Sequence, residues 1–85
     1  MKVYVLLSLN LSTMDGGVNG EYDSKAFSDY ENAKKELQEW KKELYSLFGK
    51  ENKFSIETDE DNFVYMTWDN GKEGVILDIR ELEVN

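Results

Sequence analysis

The sequence predicts an α+β domain: an antiparallel sheet of four or five strands with one long helix packed on one face, in the order β-(β)-α-β-β-β. Three observations predict it. Residues 28–49 form a single amphipathic stretch with the start and stop signals of one helix. The segments on either side alternate apolar and polar residues with the period of two that strands show. Asn70-Gly71 lies between two apolar runs, which is the preferred loop of a type I′ hairpin.

The helix is the most strongly signalled element. Ser28-Asp29-Tyr30-Glu31 matches the capping box, in which the Ser28 hydroxyl accepts an amide proton three residues on and Glu31 reaches back. Phe27, apolar and just before the cap, fixes the angle of chain entry. Tyr30, Ala33, Leu37, Trp40, Leu44 and Leu47 then recur at steps of three and four, which keeps them on one helical face. Tyr45 and Phe48 widen that stripe at its far end. The opposite face is charged, and Glu31–Lys35 and Lys35–Glu39 have the spacing of i,i+4 pairs. Gly49 is expected to close the helix in the left-handed conformation.

Residues 2–9 read as the first strand. Val3, Val5, Leu7 and Leu9 point one way, and Tyr4, Leu6 and Ser8 the other. Both sets are largely apolar, as in a strand covered on two sides. Residues 10–20 read as a loop, with turn signals at Asp15-Gly16-Gly17 and Asn19-Gly20. Residues 21–27 are weaker, a second strand leading into the cap. After the helix come strands at 53–58, 63–68 and 73–79, and a tail at 80–84 that alternates again. If Asn70 and Gly71 are the loop, Asp69 sits opposite Lys72, Met66 opposite Val75, Tyr65 opposite Ile76 and Val64 opposite Leu77. Val64, Met66, Trp68, Val75, Leu77 and Ile79 then share the more aliphatic face, which is assigned to the helix. Phe63, Tyr65, Thr67, Gly74, Ile76 and Asp78 share the other.

This arithmetic carries the functional expectation. One helix covers one face of a sheet, and the sheet has two partly apolar faces. Tyr4, Leu6, Phe63, Tyr65 and Ile76 are expected on the face away from the helix. A contiguous apolar patch with three aromatics is unusual on a monomer. Tyr, with an apolar body and a polar tip, suits an interface. A second copy is therefore expected to cover the patch in a two-fold homodimer. The competing expectation is that residues 10–27 fold back over it.

Composition bounds the rest. The 85 residues suit a single domain, 1–85. With no cysteine there is no disulfide, thiolate metal site or cysteine nucleophile, and with no histidine the commonest general base and zinc ligand are missing. The net charge of −8 argues against direct binding to a nucleic-acid backbone. No run approaches the 18 or so apolar residues of a membrane span. The opening residues lack a clean cleavage site for a signal peptide, so a cytoplasmic location is the default. The glycines of the loop lack the spacing of a phosphate-binding loop. Glu57, Asp59, Glu60 and Asp61 form the densest carboxylate cluster but lack the central glycine and distal Glu of a calcium loop. Asp78 is expected to pair with Arg80 or a Tyr hydroxyl, and Trp40 and Trp68 to lie in the core.

The opening Lys2-Val3-Tyr4-Val5-Leu6, a Gly-rich loop, and Ala26-Phe27-Ser28-Asp29-Tyr30-Glu31-Asn32-Ala33 entering a helix resemble small uncharacterised bacterial and phage α+β domains. The resemblance covers about the first half of the chain. It implies a fold layout and no activity. The function expected from the residues is a non-enzymatic protein–protein interaction module, a homodimer with no cofactor. One alternative is an acidic inhibitor of the immunity, antitoxin or phage counter-defence kind that binds a basic partner. The other is a small-molecule or metal-binding domain.

Overall fold

The computed structural model describes residues 1–12 and 21–84. Its elements follow in the order β1 (Lys2–Ser12), β2 (Glu21–Phe27), α1 (Tyr30–Phe48), β3 (Ser55–Asp59), β4 (Phe63–Trp68) and β5 (Glu73–Glu83). The strands form one antiparallel sheet in the spatial order β2-β1-β5-β4-β3. The expected α+β class holds, and residues 21–27 are a strand. The turn signals at 15–17 and 19–20, with Met14 and Val18, lie outside the described residues.

The hairpin between β4 and β5 sets the parity of the sheet. Met66 lies opposite Val75, Tyr65 opposite Ile76 and Val64 opposite Leu77, the register the Asn-Gly loop predicts. Asn70 (φ 59°) and Gly71 (φ 81°) both have the positive φ that a type I′ turn requires. Asp69 joins them at φ 53°. The Gly71 amide donates to the Trp68 carbonyl and the Lys72 amide to the Asp69 carbonyl, each at 3.1 Å, so two such turns overlap. Val75, Leu77 and Ile79 thereby face the helix, and β5 keeps this phase unbroken to Glu83. The tail needs no bulge, and Leu82 falls on the face opposite the helix, across from Val3.

β1 pairs along its whole length with β5, which joins the two ends of the chain. It runs three residues further than its apolar pattern, because Asn10, Leu11 and Ser12 continue the ladder opposite Val75, Gly74 and Glu73. β3 is displaced from the expected 53–58 and carries a bulge between Ile56 and Thr58. Lys53, at φ 55°, turns the chain into it.

α1 starts one residue later than the capping-box reading places it. The cap is Asp29, whose Oδ1 accepts the Glu31 amide at 2.9 Å. Ser and Asp are near-equal caps, so adjacent candidates differ little in energy. Gly49 is also a correction: its backbone is right-handed (φ −61°, ψ −17°) and its amide donates to the Tyr45 carbonyl at 2.8 Å. Close approach explains the glycine, since a β-carbon there would sit 2.5 Å from the Tyr45 carbonyl oxygen.

Ala33 and Leu37 are the wholly buried residues of α1, packed with Leu6, Val64, Met66, Val75, Leu77 and Ile79. Tyr30, Trp40 and Leu44 pack around that centre. Leu47 does not join it and is 63% exposed. The 3.6-residue turn carries the seam past position 47, and Phe48 instead stacks on Trp68, with ring centroids 4.4 Å apart and planes 9° from parallel. Ion pairs tie both flanks of the helix to the edges of the sheet. Glu36 meets Lys25 of β2 at 3.4 Å, and Lys41 meets Asp59 of β3 at 2.7 Å. These exposed contacts add at most about 1 kcal/mol each, so the helix is held chiefly by its apolar stripe.

Two stability outcomes follow. Leu37→Ala empties the centre of the helix–sheet contact and is expected to cost about 2–5 kcal/mol in denaturant unfolding. Gly71→Ala meets no atom within 4 Å. Its cost is conformational alone, about 1 kcal/mol, read as a lower melting temperature without loss of the fold.

Candidate functional site

The sheet has a second face, and among the described residues neither a helix nor another strand layer lies over it. Its residues can be read row by row from the register. Val3 lies beside Leu82 at one end. Val5 comes next, between Ala26 and Arg80. Leu7 lies between Ser24 and Asp78, with Phe63 beyond Asp78. Leu9, Ile76, Tyr65 and Thr58 form the following row. Leu11, Gly74, Thr67 and Ser55 form the last. The result is an apolar field of Val, Leu, Ile, Phe and Tyr side chains across the three middle strands.

Phe63, Tyr65 and Ile76 are on this face, as the sequence predicts. Tyr4 and Leu6 are not. Leu6 is fully buried in the core beneath α1, and Tyr4 packs edge to face on Tyr30 of the helix, at 5.6 Å between ring centroids. The reason is parity. β5 presents its odd residues to the helix, and the β1–β5 register places even residues of β1 beside odd residues of β5. The helix therefore covers Tyr4, Leu6 and Ser8. Val3, Val5, Leu7 and Leu9, the greasier set, are left on the other side. The alternation along β1 was legible in the sequence; the side was not.

Charge on this face is sparse. Asp78 and Arg80 are neighbours there, and the Arg80 Nε donates to the Asp78 Oδ2 at 3.0 Å. Glu57, the extra residue of the β3 bulge, accepts the Thr67 hydroxyl at 3.0 Å. A β-carbon at Gly74 would sit 3.0 Å from the Met66 carbonyl oxygen of the neighbouring strand, tighter than ordinary contact.

Two clefts flank the helix where it lifts at Leu47. The larger, about 870 Å³, lies between the end of α1 and the β4–β5 turn and is walled by Leu44, Phe48 and Trp68, with carboxylates from Glu51, Asp69 and Glu73. The smaller, about 440 Å³, lies toward β2 against Trp40, Asp23 and Lys25. The smaller also gathers Ser8, Ser24 and Glu43 along its wall. Among the described residues no group of three acidic side chains is placed to hold a metal ion. The acidic turn is spread among separate contacts: Asp59 to Lys41, Asp61 to Lys34 at 3.9 Å, and Glu57 to Thr67. No helix among the described residues is long and apolar enough to cross a membrane.

Among the described residues one group titrates away from its ordinary value. Partial burial beneath the helix, and then the Glu81 carboxylate that accepts its hydroxyl at 3.3 Å, raise the Tyr4 phenol above 10.0. Comparison of the chain with protein-family models, with curated proteins and with solved structures found no match.

The Tyr4 shift has a sign. The folded state holds the phenolic proton more tightly than the unfolded chain, so this contribution to stability is complete below pH 10 and is lost as pH rises through the folded-state pKa. Tyr4→Phe is expected to flatten the alkaline fall of the melting temperature above that pH and to leave the neutral-pH melt nearly unchanged.

Proposed function

We propose that this chain is a non-enzymatic protein–protein interaction module that self-associates through the open face of its sheet. One observation carries the reading: the face opposite the helix is an apolar field in which Leu7, Leu9, Ile76, Phe63 and Tyr65 surround Asp78. Three considerations favour a second copy as the occupant. The first is area. Strands about 4.8 Å apart with a rise of about 3.3 Å per residue give five strands over the length of β1 a face of roughly 600 Å². That approaches the 800 Å² or so that each partner buries in a stable complex. The second is charge. The chain carries −8, yet among the described residues this face holds only Asp78, Arg80 and Glu57 as charged groups, so two acidic molecules meet there with little repulsion. The third is shape: a flat, twisted sheet face is matched by another of the same twist, stacked at about 10 Å.

A second reading has one observation in its favour. Among the described residues the larger cleft is lined by Glu51, Asp69 and Glu73 and by no lysine or arginine, which suits a basic segment of another protein, as an acidic inhibitor would engage. Binding of that kind weakens steeply with salt. Self-association through the apolar face does not.

Light scattering or sedimentation at high micromolar concentration is expected to give twice the 9.9 kDa chain mass, unchanged by added salt. Leu7→Glu is expected to give a folded monomer. A wild-type monomer under those conditions overturns the reading.

A further inference from the structure

We infer that Asp78 and Arg80 fix the orientation of the two copies, by meeting their counterparts in a four-charge cluster on the dimer axis; this rests on the self-association reading above. β5 is the middle strand of five, so a two-fold axis that lays one open face squarely on another places β5 over the β5 of its partner. An axis that crosses the strand beside Ile79 brings the residues on either side of it face to face with those of the second copy. Asp78 and Arg80 are the charged residues of β5 on this face, and they are adjacent positions of one side-chain row. Between them they carry no net charge.

The two side chains differ in reach. The Asp78 side chain is 22% exposed and set among Leu7 and Phe63, whereas that of Arg80 is 68% exposed. Arg80 is engaged through Nε, and its two terminal Nη groups have the forked geometry that holds a second carboxylate. A partner's Asp78 supplies that carboxylate. The arrangement then has two acids and two guanidinium groups, each base bridging its own acid and its neighbour's.

Such a cluster selects more than it stabilises. Ion pairs taken out of water return little net energy, but an unmatched charge in an apolar interface is costly, so wrong alignments are penalised. An apolar field alone would allow sliding and rotation. A polar island near its centre allows one alignment, as a single buried polar residue does in a coiled coil.

The test is a mixing experiment on the full chain. Asp78→Lys puts four positive charges at the axis and Arg80→Glu four negative ones. Each variant alone is expected to dimerise at least about tenfold more weakly than wild type. An equimolar mixture of the two is expected to recover wild-type affinity, as a heterodimer seen by native mass spectrometry. Circular dichroism checks the fold of each, and Asp78→Asn replaces the lysine variant in the same scheme if that one unfolds. A mixture that stays monomeric while wild type dimerises, or single variants that dimerise as tightly as wild type, overturns the inference and leaves self-association standing. A monomeric wild type overturns both.

Discussion

The structure depends on one parity. The Asn70-Gly71 turn pairs Met66 with Val75, and because side chains alternate along a strand, that pairing decides the side of every residue that follows in β5. β5 passes the decision to β1 through an unbroken register from Lys2–Glu83 to Ser12–Glu73, and β1 passes it to β2 through Tyr4–Phe27 to Asn10–Glu21. A slip of one residue at the turn would exchange the two faces. It would set Ile76 and Asp78 beneath the helix and turn Leu77 and Ile79 outward. The helix has no freedom to correct this, since its small and large positions, Ala33 and Leu37, fit the surface made by Leu6, Leu77 and Val64.

The same parity explains the two ends of the helix. At its start, Phe27 and Tyr4 are cross-strand neighbours on the helix side, and Tyr30 packs on Tyr4. The first turn is therefore seated through Tyr30 on the aromatic rings of the sheet below it. At its end, the helix side of β1 offers Ser8 and Asn10, which give apolar side chains little to pack against. Leu47 stays in solvent, and the last turn is held from the hairpin side by Phe48 on Trp68 and Tyr45 on Phe54. The clefts are what remains where the helix axis runs over the polar part of the sheet. They follow from the fit of helix to sheet.

Local signals in the sequence account for the helix, the β4–β5 hairpin, the helix side of that hairpin and the open-face positions of Phe63, Tyr65 and Ile76. Each rests on residues within a few positions of one another, where periodicity and turn chemistry act directly. The side of β1 was not legible for a physical reason. Its phase is fixed by pairing the first strand with the last, a contact between opposite ends of the chain that no neighbouring residue encodes. Tyr4 and Leu6 were misplaced for that reason alone. The polar residues Asn10 and Ser12 were likewise read as loop because a strand's length is set by its partner as much as by its own composition. The cap at Asp29 in place of Ser28 is a smaller matter, two adjacent residues of similar capping strength.

What the sheet protects, and what it leaves open, bears on how the molecule meets others. An exposed strand edge offers unpaired amides and carbonyls to any chain, and both edges here are guarded. β3 is short and carries a bulge. β2 holds Asp23 and Lys25. The broad face between them has no such defence in bulk: its interior charge is confined to one balanced pair, Asp78 and Arg80. A face meant only for water would be expected to alternate apolar-in and polar-out, as antiparallel sheets with one wet side do. β1 departs from that rule at Val3, Val5, Leu7 and Leu9, with no polar residue among them. Guarded edges beside such a face support the proposed contact of sheet upon sheet over pairing strand to strand. In that proposal the Asp78–Arg80 pair, already bonded within one chain, discriminates among the ways two sheets can stack, since a misaligned copy would bury it against apolar side chains with no second pair to share its charge.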